Sequence, residues 1–194
     1  MNYFEMVIDA LGTINKDKLA EFLEVISRQD EAQNQSPAIF FGNGGSAAIA
    51  NHIVADLSKG IFEDNLGWCY PCISLCSNSP LMTAISNDIG YDKLFSRQLE
   101  YLAFKKADVI AISSSGNSAN VIEGLISAKK IGYKTFALVG FDGGRVLKEN
   151  LADIIIHINS NNYGVVEDCH MMILHMLTQE IRKFLSPDPS SLKL

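Results

Sequence analysis

The chain has 194 residues, of which 47% are hydrophobic and 20% are charged, and its formal net charge is −6. This length and composition predict one globular domain with a sizeable core, and they argue against disorder. The acidic balance offers no basic stripe, so we expect neither nucleic acid nor an anionic membrane as a partner. The N-terminal residues lack the pattern of a signal peptide, and no apolar run approaches the roughly 20 residues of a membrane helix, which predicts a cytoplasmic protein.

The first segment, residues 1–36, is predicted to hold two helices and a linker. Apolar residues recur at helical spacing over residues 3–28, with an interruption at residues 12–15 where Asn15 can cap the second helix. These helices precede the first strand and have no sheet face of their own, so packing against another copy of the chain is plausible. Residues 29–36 form a polar linker.

From residue 37 to residue 185, strands and helices alternate. The predicted strands are residues 38–42, 72–76, 107–112, 134–139 and 153–158. The predicted helices are residues 47–58, 79–86, 92–104, 118–131, 144–150 and 165–185. Near-continuous apolar strands with helices between them are typical of a parallel sheet covered on both faces. The fold class is therefore α/β, a three-layer sandwich of helices around a five-stranded parallel sheet with an N-terminal helical extension, and residues 186–194 form a tail.

Two of the predicted strands run into turns that suit an anion. The first strand ends in Gly42-Asn43-Gly44-Gly45-Ser46, and the third ends in Ser113-Ser114-Ser115-Gly116-Asn117-Ser118, each ahead of a helix. Backbone N–H groups at a helix N-terminus and neutral hydroxyl donors both suit a phosphate monoester. Because both turns follow parallel strands, we expect them at the edge of the sheet where ligands bind. Each turn has a plainer interpretation, as a tight connection or as helix capping, and the glycine spacing matches neither a Rossmann fingerprint nor a Walker loop, so no nucleotide is expected.

Imidazole and carboxylate groups recur on two of the predicted helices. His52 and Asp56 are four residues apart and share one helix face, and the last helix carries Glu167, His170 and His175. Such residues form zinc sites or acid/base pairs, although each histidine has an alternative interpretation as a core residue. Eight residues of straight helix span about 12 Å, so Glu167 and His175 grip one ion only if the helix begins irregularly or the groups come from different subunits.

The remaining metal-capable residues are interpreted as structural. Cys69, Cys72 and Cys76 lie close together, a spacing that resembles a metal knuckle, and Cys169 is the fourth cysteine. They fall around an apolar strand, where cysteine acts as a small buried hydrophobe, and reduced thiols agree with a cytoplasmic protein. His157 stands alone in a predicted strand and is assigned to structure.

Taken together, these motifs resemble the phosphoheptose isomerase branch of the SIS domain sugar isomerases. The resemblance covers residues 37–182 and rests on Gly42 to Ser46, His52, Asn87-Asp88, Phe95-Ser96-Arg97, Ser113 to Asn120, Asp142-Gly143-Gly144, His170 and His175. It implies a single SIS domain over residues 1–194, a homotetramer with active sites built between subunits, and conversion of sedoheptulose 7-phosphate to D-glycero-D-manno-heptose 7-phosphate. That product would serve heptose synthesis for lipopolysaccharide or capsule.

The resemblance also implies a site. Family members commonly hold zinc through a His, a Glu, a Gln and a second His, and the matching positions here are His52, Asp56, Glu167 and His175. Asp56 and His175 would be the acid/base residues, with Glu167 as a third candidate. The implied substrate-binding residues are Asn43, Gly44, Ser46, Asp88, Ser113, Ser114, Ser115 and Ser118. An acidic residue of the family is Gly164 here, and an arginine is replaced by Lys59-Gly60, which leaves the exact sugar open.

Two alternatives stay open beside an isomerase that works through an enediol. One is a non-catalytic SIS scaffold similar to the replication-initiator-associating protein, which this chain resembles at Gly42-Asn43-Gly44 and Ser46-Ala47-Ala48. That branch carries inert groups at the acid/base positions, where this chain has Asp56 and His175. The other is an isomerase for a different ketose or aminosugar phosphate.

Overall fold

The N-terminal helices form as the sequence predicts. The computed structural model describes residues 2–27, 36–61 and 70–185, and it begins with α1 (Tyr3–Gly12) and α2 (Lys16–Ser27). The Asn15 side chain accepts hydrogen bonds from the backbone N–H groups of Asp17 and Lys18, which confirms it as a cap. Most of the predicted linker at residues 29–36, and the predicted tail at residues 186–194, lie outside the described residues.

The centre of the molecule is a parallel sheet of five strands, as predicted. Its strands are β1 (Ala38–Gly42), β2 (Cys72–Ser74), β3 (Asp108–Ser113), β4 (Lys134–Val139) and β5 (Ile154–His157). Their order is β2-β1-β3-β4-β5, with every neighbouring pair parallel. The chain therefore leaves β1 towards one edge of the sheet and β3 towards the other. A crevice opens between their carboxyl ends, which is where ligands of such sheets bind.

Helices cover the sheet. They are α3 (Gly45–Ala55), α4 (Ser79–Asp88), α5 (Leu94–Leu102), α6 (Ala119–Ile131), α7 (Gly144–Lys148) and α8 (Tyr163–Leu185). One layer contains α8 with α1, α2 and α3 packed against it, and α5 packs on α6 in the other layer. Stacking of Phe41 on Phe95 and an edge contact between Phe22 and Phe136 join these layers to the sheet. Within the described ranges, no helix has both the length and the apolar character needed to cross a bilayer.

Several predicted bounds differ from the structure for local reasons. β2 ends at Ser74 rather than at residue 76, because the Ser74 hydroxyl accepts the Cys76 N–H and turns the chain. The predicted helix at residues 47–58 begins earlier, and from Asp56 to Gly60 it continues as a π-helical turn. The predicted helix at residues 92–104 is a 3₁₀ turn at Tyr91–Lys93 followed by α5.

His170 is the one histidine of α8 that belongs to the core. It is fully buried, and neither ring nitrogen makes a hydrogen bond of good geometry within the described residues. Burial lowers the pKa of His170 to about 4, against a smaller opposing effect of the Val139 carbonyl. In the unfolded chain the imidazole takes up a proton below about pH 6.5, whereas in the folded protein it does so only near pH 4.

The free energy of unfolding is therefore expected to fall by about 3 kcal/mol as the pH drops from 6.5 to 4, because the unfolded state binds the extra proton over this range. Urea unfolding of the protein and of a His170→Leu variant, at several pH values, measures this contribution. The variant should show the shallower decline. Equal slopes for the two proteins would mean that His170 is not held neutral by burial.

Candidate active site

A cavity lies in the crevice between the carboxyl ends of β1 and β3. Its volume is about 270 Å³, and its lining is Asn43, Gly44, Gly45, Ser46, Ser113, Ser114, Ser115, Ser118, Tyr163 and Glu167. The glycine turn and the serine turn thus meet at one edge of the sheet, as the parallel strands predict. Nearly all the residues of the lining are polar, so the cavity suits a small hydrophilic ligand.

The glycine turn brings the start of α3 close to the sheet. Gly44 has φ of +57°, a left-handed conformation that favours glycine, and a Cβ on Gly42 would lie 2.6 Å from the Ile112 carbonyl oxygen. No side chain caps α3 at its N-terminus. The Ser46 and Ala47 N–H groups donate to the Asn43 and Gly44 carbonyls, each at 3.0 Å, and the positive end of the helix dipole lies at the cavity, which suits a bound anion.

The serine turn supplies hydroxyl groups whose O–H can donate to a ligand. Ser113 and Ser115 accept hydrogen bonds from backbone N–H groups, each at 3.2 Å, and keep their own O–H to donate. Ser118 precedes α6 but makes no capping hydrogen bond with its side chain. The Ser114 hydroxyl is buried and has no hydrogen-bond partner among the described residues. A buried hydroxyl without a partner is costly, so rotation of the Ser114 side chain towards a ligand oxygen in the cavity would satisfy it.

Glu167 and Tyr163 form the wall that α8 contributes. The Glu167 carboxylate lies against Gly45, where a Cβ would collide with it, and it is the charged side chain among the residues of the lining. Tyr163 packs edge-on against Phe141, with ring centroids 4.7 Å apart. Sequence reasoning missed Tyr163 as a lining residue. The available signal was its place after Asn162, whose side chain accepts the Val165 N–H at the start of α8.

Asp88 does not line this cavity. It ends α4, and its carboxylate accepts a hydrogen bond of 2.7 Å from the Asn87 amide. Its role in binding the sugar stays a prediction.

A second cluster joins α3 to α8. The Nε2 atoms of His52 and His175 are 3.2 Å apart, and the Asp56 Oδ2 atom lies 3.3 Å from the first and 3.5 Å from the second. About half of each imidazole side chain and a third of the Asp56 side chain are exposed to solvent. We call His52, Asp56 and His175 the trio. Asp56 begins the π-helical turn at Asp56–Gly60, an irregularity that is frequent at functional sites.

The trio fits a zinc ion. Tetrahedral zinc with ligands at about 2.0–2.1 Å requires about 3.3–3.4 Å between ligand atoms, and the three separations within the trio lie near that value. Two histidines and one carboxylate form a common catalytic zinc set that leaves the fourth position open. The three ligand atoms belong to one group within 4.8 Å of each other, and Glu167 is not part of it. Because α8 is helical from Tyr163 onwards, the pitch keeps Glu167 and His175 apart within one chain.

The cavity and the trio lie along the same pair of helices, α3 and α8. Contacts at Gly45 with Glu167 and at His52 with His175 show that α3 and α8 run side by side in the same direction. His52 lies seven residues after Gly45, and His175 lies eight residues after Glu167. At 1.5 Å per residue the trio is therefore about 10–12 Å from the end of the cavity that Glu167 lines.

The other candidate metal ligands belong neither to the cavity lining nor to the trio. His157 Nε2 lies 2.9 Å from the Phe141 carbonyl oxygen, in agreement with a structural role. Cys76 and Cys169 are buried free thiols and Cys72 is half-buried, whereas Cys69 lies outside the described residues. Burial raises the pKa of the Cys169 thiol to about 11, which keeps it protonated and unsuited to bind metal.

Comparison with known proteins agrees with this architecture. The model of the SIS domain family matches residues 2–140. The chain is 38% identical over 175 residues to a probable phosphoheptose isomerase of Thermoplasma acidophilum, covering 90% of this chain and 93% of the relative. It is 34% identical over 181 residues to the phosphoheptose isomerase of Geotalea daltonii, covering 93% and 91%.

Two solved structures extend the likeness to three dimensions. The phosphoheptose isomerases of Neisseria gonorrhoeae and Francisella tularensis match with TM-scores of 0.81 and 0.83. Each is 26% identical in sequence, and each match covers 93% of this chain and 95% of the other. The chain therefore belongs to the SIS domain family and groups with its phosphoheptose isomerases.

Proposed function

We propose that the protein is an aldose–ketose isomerase that converts sedoheptulose 7-phosphate to D-glycero-D-manno-heptose 7-phosphate for heptose synthesis. The observation that carries this proposal is the separation of about 10–12 Å between a serine-lined cavity and an imidazole–carboxylate trio. An extended seven-carbon sugar with a terminal phosphate is about 10 Å long, given carbon–carbon bonds of about 1.5 Å. Its phosphate in the cavity would thus leave its reacting carbons near the trio.

The cavity would hold the phosphate with neutral donors. Ser46, Ser113, Ser114, Ser115 and Ser118 offer hydroxyl groups, and the start of α3 offers backbone N–H groups and the positive end of its dipole. Asn43 and Gly44 would contact the sugar chain beside it. Holding the remote phosphate fixes the sugar relative to the trio, and such positioning contributes a large part of the rate enhancement.

The trio would carry out the proton transfers. A base removes a proton from C1 of the ketose while O2 gains one, which yields the enediol; O1 then loses its proton and C2 receives one, which yields the aldose. Asp56 and His175 are the acid/base candidates, because they lie together and are partly open to solvent. Glu167, at the cavity, is a less direct third candidate. A zinc ion held by His52, Asp56 and His175 would supply polarisation of the substrate oxygens, and the second Asp56 oxygen would then be the available base, because a ring nitrogen bound to zinc has no lone pair for a proton.

Self-association is part of the proposal. Phe4 and Ile8 on α1 are 80% and 67% exposed, and Met172 and Met176 on α8 are also exposed. Both methionines lie on the same side of His175 around the helix, so this apolar patch of α8 borders one residue of the trio. Contact through this face, in a homotetramer, would bring a second copy to the edge of the site.

Ser114→Ala gives a specific prediction about the cavity. The hydroxyl has no hydrogen-bond partner among the described residues, so its removal should not lower the free energy of unfolding. The KM for the sugar phosphate should rise about 2- to 10-fold, the equivalent of one net hydrogen bond. A matched control is Thr135→Val at the opposite edge of the sheet, where the hydroxyl donates to Asp153 at 2.9 Å. That variant should lose stability and keep its KM, and the reverse pattern would contradict the assignment.

One assay tests the function directly. The purified protein is incubated with sedoheptulose 7-phosphate, with and without a chelator, and the aldose is followed by NMR while bound metal is measured. We expect aldose to form, and we expect the chelator to remove zinc and activity together. Activity that survives complete loss of metal would refute the zinc role, and absence of aldose in zinc-loaded protein would refute the substrate.

A further inference from the structure

A closed set of hydrogen bonds fixes the side chain of Asn43. The Asn43 Nδ2 donates to Asn120 Oδ1 at 2.8 Å, and the Asn120 Nδ2 donates back to Asn43 Oδ1 at 2.9 Å. The Tyr91 hydroxyl donates to the same Asn43 Oδ1 at 2.8 Å. Three segments therefore meet at one amide: the end of β1, the start of α6 and the 3₁₀ turn at Tyr91–Lys93.

Counting donors and acceptors shows what Asn43 offers to the cavity. An amide oxygen has two acceptor positions, and Asn120 and Tyr91 fill both on Asn43. The amide nitrogen has two N–H groups, and one of them is used by Asn120. Since Asn43 lines the cavity, its remaining N–H is the group available to a ligand.

Tyr91 decides this orientation. The Asn43–Asn120 pair alone would keep both of its hydrogen bonds if both amides turned over, and Asn43 would then present its oxygen instead. A phenol is a better donor than acceptor, so the Tyr91 hydroxyl favours the arrangement with the Asn43 oxygen towards itself. Asn120, the third residue of this hydrogen-bonded set, is buried, which restricts its movement.

The turn that carries Tyr91 is itself anchored. Lys93 forms an ion pair of 2.7 Å with Glu123 on α6, the helix whose first turn contains Asn120. The Lys93 N–H also bonds the Gly90 carbonyl at 3.1 Å. Tyr91 and Asn120 are thus held relative to each other through one helix, although the Tyr91 ring is itself exposed.

We propose that Tyr91 is a positioning residue of the site: its hydroxyl orients the Asn43 amide so that an N–H faces the cavity and donates to an oxygen of the bound sugar phosphate. This inference rests on the proposed function for the identity of the ligand. It assigns no contact between Tyr91 and the substrate. The effect of Tyr91 must therefore pass through Asn43, which makes it testable.

Tyr91→Phe removes the hydroxyl and keeps the ring. We expect the KM for sedoheptulose 7-phosphate to rise about 2- to 10-fold, since an amide free to turn over loses part of one hydrogen bond, with a smaller change in kcat. In an Asn43→Ala background the same substitution should have no further effect on KM. The matched control is Tyr101→Phe, an exposed tyrosine on α5, which should leave both parameters unchanged.

A readout without substrate separates this inference from the proposed function. In protein labelled with ¹⁵N-asparagine, the side-chain signals of Asn43 are identified by their loss in Asn43→Ala. Tyr91→Phe should shift or broaden them, and Tyr101→Phe should not. Unchanged Asn43 signals in Tyr91→Phe, or independent effects of the two substitutions on KM, would overturn the inference. Failure of the wild-type protein to act on the heptulose phosphate, with the Asn43 signals shifted, would count against the substrate and support the orienting role of Tyr91.

Discussion

His175→Ala should lower kcat for the isomerisation by about 10²–10⁴-fold, the range that a positioned acid/base group contributes. The substitution removes an imidazole whose Nε2 atom lies 3.2 Å from that of His52 and 3.5 Å from the Asp56 carboxylate. It leaves the serine-lined cavity intact, so the affinity for the phosphate end should change little. Steady-state kinetics and calorimetric binding of the heptulose phosphate separate these two effects.

The fold should tolerate this change, because the His175 side chain is about half exposed and its backbone stays helical. Gln179→Ala, one turn further along α8, is the matched control and should retain turnover and oligomeric size. Circular dichroism and urea unfolding should be alike for the wild-type protein and both variants. Turnover near the wild-type level in His175→Ala would remove the trio from the chemistry, and equal losses in both variants would point to disrupted association instead.

The architecture was predictable because burial leaves a plain pattern. Every residue of β1 and of β3 is buried, and such strands read as continuous apolar runs. Once these strands are parallel, the turns that follow them must share an edge. The serine hydroxyls of residues 113–118 and the glycine turn at residues 42–46 were thus placed together by topology alone, and the structure brings them into one cavity.

The π-helical turn was missed, although the sequence contains a signal for it. Buried apolar residues follow one another every four positions at Ile49, Ile53, Leu57 and Ile61. In a regular α-helix a step of four overshoots one turn by about 40°, so three steps drift by about 120° from the starting face. The wider turn at Asp56–Gly60 absorbs part of that drift, and a strict spacing of four is the pattern that would have predicted it.

The hydrogen bonds that orient Asn43 could not be predicted from spacing. Its partners Tyr91 and Asn120 are 48 and 77 residues away along the chain, on separate elements. Each is an ordinary polar residue of a loop or helix start, with no local pattern that links it to the glycine turn. Only the packing of α6 beside the 3₁₀ turn brings them together.

The rise of the α-helix predicts that Glu167 and His175 lie too far apart to bind one ion within a single chain. The rise of 1.5 Å per residue separates it from His175 by about 12 Å on a straight helix, and α8 is helical over that whole length. The structure accordingly places the Glu167 carboxylate at the cavity, against Gly45. Its role as a metal ligand therefore requires a second copy of the chain.

Asp56→Asn should lower both zinc content and kcat/KM, the latter by about 10²–10⁴-fold. The amide keeps the size and one acceptor oxygen of the carboxylate but loses its negative charge, which attracts a divalent cation. Two imidazole Nε2 atoms 3.2 Å apart are joined either by a bound cation or by an N–H of one ring that donates to the lone pair of the other, and the carboxylate favours the cation. Metal analysis of the purified variant, combined with kinetics at saturating zinc, distinguishes weakened metal binding from a lost base.

Asp56→Glu is the informative companion, because it keeps the charge and adds one methylene to the side chain. If the carboxylate acts mainly as a metal ligand, Asp56→Glu should retain zinc and much of the turnover. The longer side chain can bend back towards the ion, because this position is partly exposed to solvent. If the carboxylate acts as a base aimed at one carbon, the added length should lower kcat while zinc is retained, because proton transfer depends on a separation of about 2.6–3.2 Å between heavy atoms. Retention of both zinc and full turnover by Asp56→Asn would exclude each of these roles for the carboxylate. The metal binding and proton transfer of the trio would then depend on the two histidines alone.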